Sequence, residues 1–99
     1  MNYKISREAL RDLENIWIFT FENWSKEQAN RYVSLIIEEI EYLANYPDAG
    51  HNFGNIIEGY FRSRIKSHFN FYRKIRQADG IEVIRILHQR MNIKARLSE

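Results

Sequence analysis

The hydrophobic period of this chain changes once, near residue 50, and that change constrains the fold more than any other feature. Before it, apolar residues recur every three to four positions. After it, they alternate. A 3.6-residue period builds helices and a two-residue period builds strands, so helices precede most of the sheet. Tyr46-Pro47-Asp48-Ala49-Gly50 marks the boundary, because the residue before proline avoids helical angles.

The helical half divides in two. Tyr3-Lys4-Ile5 alternates and predicts a short first strand, after which Ser6 stands at a helix N-cap with Glu8 in the first turn. Leu10, Leu13, Trp17 and Phe21 follow at helical spacing. With Ile16, Ile18 and Phe19 they make the end of this helix apolar nearly all round, so it is expected to be covered on more than one side. Ser25-Lys26-Glu27-Gln28 reads as a capping box opening a second helix, whose stripe is Ala29, Tyr32, Val33, Ile36, Ile37, Ile40 and Leu43. So short a connection predicts an antiparallel helical hairpin over residues 7–45.

In the strand half, residues 51–58 read as a loop, and 60–66, 68–75 and 81–87 read as strands joined by turns, the last at Gln77-Ala78-Asp79-Gly80. The expected organisation is one α+β domain over 1–99: a strand at 1–5, the hairpin on one face of a mostly antiparallel sheet, three antiparallel strands within 59–88, and a basic segment at 89–99. Alternation is read as placing Arg62, Arg64, Lys66, Tyr72, Lys74 and Arg85 on the uncovered sheet face, with Ile84 and Ile86 sharing one side of the last strand.

Composition narrows the function. The chain has no cysteine, so disulfides and thiolate chemistry are excluded. No apolar run approaches the ~20 residues that span a bilayer and no secretion signal is seen, so the expected location is the cytoplasm. Residues 1–50 carry five basic and nine acidic side chains, and residues 51–99 carry ten and four. A surface so divided suits an anionic partner, either nucleic acid or an acidic protein segment.

Leu13-Glu14-Asn15-Ile16-Trp17, Trp24-Ser25-Lys26-Glu27-Gln28-Ala29-Asn30-Arg31-Tyr32, the exit Leu43-Ala44-Asn45-Tyr46-Pro47-Asp48-Ala49-Gly50, Phe71-Tyr72-Arg73 and the ending Ile81 through Met91 occur in this order along nearly the whole chain. Together they resemble ParE-type toxins of the RelE/ParE toxin–antitoxin superfamily. The resemblance implies a toxin that poisons DNA gyrase by binding, is held in a hetero-oligomer by a ParD-like antitoxin, needs no cofactor and is not an enzyme. The chain departs from the usual pattern at Asn70, where an aliphatic residue is common, and at Asn92, where an acid often follows the methionine.

Arg62, Arg64, Tyr72 and Arg85, with Trp17, Phe21 and Tyr32 beside the hairpin, are the candidate antitoxin contacts, since aromatic and arginine side chains anchor such interfaces. The end of the chain is implicated in ParE toxicity, which makes Arg90, Met91, Asn92, Lys94 and Arg96 the candidate target contacts. Met91, Ile93 and Leu97 are read as docking back on the sheet. A competing reading is a RelE-like, ribosome-dependent mRNA endonuclease with His88 as acid or base and Arg73 and Arg85 as clamps. A third is a decayed toxin that only binds antitoxin. His51, His68 and His88 lack metal-ligand spacing, so no metal is expected, and neither a phosphate-cradling glycine run nor sequence-specific nucleic-acid binding is expected.

Overall fold

A computed structural model describes residues 2–75 and 80–97. The elements are β1 (Asn2–Ile5), α1 (Arg7–Asn23), α2 (Lys26–Asn45), a 3₁₀ turn (Pro47–Ala49), β2 (His51–Asn52), β3 (Phe61–Ile65), β4 (His68–Lys74), β5 (Gly80–His88) and α3 (Ile93–Leu97). The five strands lie in the order β1-β5-β4-β3-β2. β1 runs parallel to β5 and every other pair is antiparallel, with the helical hairpin on one face.

Both helices begin where the caps predict. Ser6 Oγ accepts from the Ala9 N–H at 3.0 Å, and Ser25 Oγ accepts from the Gln28 N–H at 3.1 Å. The hairpin's buried stripe is Ala9, Leu13, Ile16 and Thr20 from α1, with Ala29, Ile36, Ile40, Leu43 and Ala44 from α2. The end of α1 departs from expectation: Ile18, Phe19, Phe21 and Trp24 are all exposed, as is Leu10 nearer its start. Only one side of this helix meets the sheet, so its remaining apolar residues form an outer surface.

The sheet corrects three readings. Tyr72 is not on the uncovered face. Phe61 and Tyr72 are direct cross-strand partners, their rings stack at 5.6 Å, and both point toward the hairpin. Directly paired residues share a face, so this register carries Asn70 and Lys74 to the helix side as well. Lys74 there pairs with Asp48. On β5 the pairing slips between Phe71 and Tyr72, which face Arg85 and Val83, leaving Ile84 as the extra residue. The bulge turns Val83 and Ile86 into the same core, where strict alternation would separate them. Finally, β2 forms within the expected 51–58 loop, α3 forms within the basic 89–99 segment, and most of the expected Gln77–Gly80 turn lies outside the described residues.

Tyr72 ties the hairpin exit to the sheet. Its hydroxyl donates to the Pro47 carbonyl at 2.8 Å and accepts from the Gly50 N–H at 3.0 Å. A Cβ on residue 50 would lie 2.1 Å from that oxygen, which is why glycine ends the Pro-x-x-Gly exit. Burial pushes the Tyr72 pKa up to about 12, so the phenol keeps the proton it donates.

One buried group conflicts with its surroundings. Asn70 is 1% exposed, and neither Oδ1 nor Nδ2 has a hydrogen-bond partner among the described residues. An unsatisfied buried amide costs about 1–3 kcal/mol. Asn70→Val is therefore expected to stabilise the fold by about 1–2 kcal/mol and raise Tm by roughly 4–8 °C per kcal/mol; thermal unfolding followed by circular dichroism checks this.

Candidate functional site

Beyond Ile5, β1 no longer covers β5, and α1 takes its place along that edge. Ser6 N–H donates to the Val83 carbonyl at 3.0 Å, and Ser6 Oγ–H donates to the Ile84 carbonyl at 2.7 Å. Nearly two turns on, Asp12 accepts from the Ile86 N–H and from Arg85 Nε, both at 2.9 Å, and from Arg85 Nη2 at 3.2 Å. Both side chains of the pair are 13% exposed. Arg85 also donates through Nη1 to the Arg96 carbonyl at 3.2 Å, which holds α3 against the sheet's end.

These contacts frame a groove of about 890 Å³ between α1, α2, the β3–β4 turn and the C-terminal segment. Ile16, Phe19, Leu35 and Ile86 give it apolar walls. Arg11, Arg31, Lys66, Arg85 and Arg96 supply five cations, whereas Asp12 is the only carboxylate among the described lining residues, and Arg85 already holds it. Lys66 sits in the two-residue β3–β4 turn at φ +49, a left-handed conformation that glycine or asparagine adopts more easily.

At one end of the groove Tyr32, His68 and His88 form a chain. The Tyr32 hydroxyl is 2.6 Å from His68 Nδ1, and the two imidazoles meet edge to face at 5.1 Å. Burial lowers the His68 pKa to about 4, the neighbouring His88 adds to the fall, and Asp12 opposes it. Burial raises that of Tyr32.

The expected contacts separate into three places. Tyr32, Arg85, His88, Met91 and Arg96 line the groove. Arg62 and Arg64 lie on the other sheet face, where the Arg62 guanidinium sits over Phe53 at 5.1 Å and Phe69 at 4.7 Å. Arg64 donates to Gln89 Oε1 at 2.7 Å. That face is not bare, since Phe53 from the 53–58 loop packs on the fully buried Phe71. Trp17 and Phe21 stack at 5.2 Å on the outer side of α1, and Trp17 Nε1–H donates to Asn30. Tyr72, in the core, has no surface to offer a partner. Arg73 pairs with Glu82 at 2.9 Å across the face opposite the hairpin, so it does not converge with His88.

In the C-terminal segment Asn92 Oδ1 caps α3 by accepting from the Ala95 N–H at 3.2 Å. Ile93 and Leu97 are half-buried while Met91 is exposed. Sequence reasoning missed Arg11, Asp12, Arg31 and His68. The Asp12–Arg85 pair spans 73 positions, and no local pattern announces it.

The fold is that of a chain from the "Chromosomal ParDE TA system from P. aeruginosa", with a TM-score of 0.75 at 21% identity, covering 89% of this chain and 95% of that one. The class is thus a helical hairpin on a mixed, mostly antiparallel sheet with a cationic groove at its edge. Residues 3–93 match the family described as ParE toxin of type II toxin-antitoxin system, parDE, and the chain belongs to that family. It is 40% identical over 95 residues to Toxin ParE1 of Caulobacter vibrioides and 35% identical over 95 residues to Toxin ParE1 of Mycobacterium tuberculosis, each time across 96% of both chains. Toxin ParE of Escherichia coli is 27% identical over 97 residues, 98% of this chain and 93% of that one.

The depressed His68 pKa gives a stability test. Above pH 6.5 the ring is neutral folded or unfolded. Between 6.5 and about 4 the unfolded chain takes up a proton that the fold resists, so stability falls as pH falls. His68→Gln is expected to lose about 1–2 kcal/mol less than the parent over that interval, allowing for residual screening; urea titrations at pH 6.5, 5.5 and 4.5 measure the difference.

Proposed function

We propose that this chain is the toxin of a type II toxin–antitoxin pair. It acts by binding DNA gyrase, in the cytoplasm, and a ParD-like antitoxin neutralises it by laying an acidic and apolar segment in the groove. The observation that carries the antitoxin part is the groove itself: besides the mutually neutralised Asp12–Arg85 pair, its described lining holds four cations, Arg11, Arg31, Lys66 and Arg96, and no further carboxylate, over apolar walls. A partner segment bearing acids and apolar side chains matches both features, and such segments fold on binding. The gyrase part rests on family membership.

Binding rather than catalysis is supported by the failure of His88, Arg73 and Arg85, the set read as a nuclease site, to converge. Strand-cleaving chemistry needs an acid, a base and cationic clamps within reach of one phosphate. Arg73 is on the opposite sheet face from His88, and Arg85 is engaged by Asp12. The purified protein is expected to inhibit gyrase supercoiling and to leave mRNA intact in a translation extract. Codon-specific cleavage with supercoiling undisturbed would establish the ribonuclease reading instead. Co-purification with a co-expressed ParD-like protein tests the antitoxin.

The C-terminal segment is the proposed gyrase contact. Arg90 and Lys94 do not line the groove, so they separate the two surfaces. The double variant Arg90→Glu, Lys94→Glu is expected to raise the concentration for half-inhibition of gyrase roughly tenfold or more, while antitoxin affinity changes by less than about threefold. Paired supercoiling and calorimetric titrations read both.

A further inference from the structure

One end of the groove holds two imidazoles that the core and the Asp12–Arg85 pair do not use. His68 and His88 are direct cross-strand partners at the ends of β4 and β5. Each has one ring nitrogen committed. The Tyr32 phenol reaches two acceptors, His68 Nδ1 at 2.6 Å and the Ile65 carbonyl at 3.4 Å, and the shorter contact takes its proton. The Arg90 backbone N–H donates to His88 Nδ1 at 3.0 Å. A backbone N–H can only donate, so His88 carries its proton on Nε2, and the phenol's donation to Nδ1 places that of His68 on Nε2 as well. The pair thus has two N–H donors left and no acceptor, which selects an oxyanion over a cation or a neutral donor.

Lys66 adds a cation. It belongs to the two-residue β3–β4 turn, whose tight geometry accounts for its positive φ, and it lines the same groove as the two histidines.

We propose that His68 and His88, with Lys66 at the rim, form a carboxylate subsite that takes one Asp or Glu side chain of a peptide lying in the groove. The proposal rests on the reading that the groove receives the antitoxin, and it names the side-chain chemistry at one position of that partner. A peptide acid fits better than a nucleic-acid phosphate because the adjoining walls, Ile16, Phe19, Leu35 and Ile86, are apolar. A polyanion would leave them wet, whereas neighbouring apolar residues of a peptide cover them.

N-acetyl-glutamate N-methylamide titrated into isotope-labelled protein, followed by imidazole and amide NMR, tests the subsite. Both histidine rings are expected to shift saturably, with Kd in the millimolar range usual for one small fragment. The uncharged glutamine analogue is expected to leave them unmoved. His88→Gln and Lys66→Gln are each expected to weaken binding about tenfold with the remaining amide spectrum unchanged. The Lys66 variant keeps the test open if the other perturbs the strand end. Absence of saturable shifts, or equal affinity in both variants, would overturn the proposal. So would a short single-stranded RNA binding the same rings more than tenfold tighter than the acid. The titration needs no antitoxin, so its failure removes the subsite and leaves the antitoxin reading to its own co-purification test.

Discussion

The fold turns on how the outer edge of its central apolar strand is satisfied. β5 is the most buried strand, and β1 covers only its first half. A bare edge there would leave backbone groups without partners against a hydrophobic core. α1 closes the gap with two side chains: Ser6 for the Ile84 carbonyl and Asp12 for the Ile86 N–H. Asp12 is itself a nearly buried charge, tolerable only because Arg85 lies against it with two hydrogen bonds. Removing either member would take from the other the opposite charge packed against it, a loss of the order of 3–5 kcal/mol.

The groove follows from that closure. Because α1 is pinned to the end of β5, the hairpin stands off from the β3–β4 turn and leaves a channel between them. The cations along it come from both halves of the chain: Arg11 and Arg31 from the otherwise acidic helices, Lys66, Arg85 and Arg96 from the basic half. A sum of charges over each half does not locate such a site. What matters is that the glutamates at 38, 39 and 41 lie elsewhere on α2; Glu39, for example, takes the Ser63 hydroxyl.

Much of the architecture was legible in the sequence. The period change, the Ser6 and Ser25 caps and the Pro-Gly exit are local signals, and local signals determine which elements form. Register is not local. The choice of Tyr72 for the open face failed because alternation says which residues share a side, not which side is covered. The Phe61–Tyr72 pairing settles that, and it spans two strands. The bulge at Ile84 defeated a simple two-residue count for the same reason. Half of the groove was equally hidden. Tyr32, Arg85 and His88 drew attention by residue type, whereas Asp12 and His68 matter only through neighbours far away in sequence.

The link from Ser6 to Ile84 also sets a timetable. The two residues are 78 positions apart. At about 5–20 residues per second, synthesis needs roughly 4–16 s between one and the other. The helical hairpin closes through near neighbours and can form at once, while β1 and the start of α1 must wait for the final strand to be made. For that interval the nascent chain presents an assembled hairpin with its sheet-facing stripe still uncovered, so the ribosome releases a molecule whose groove is the last part to take shape.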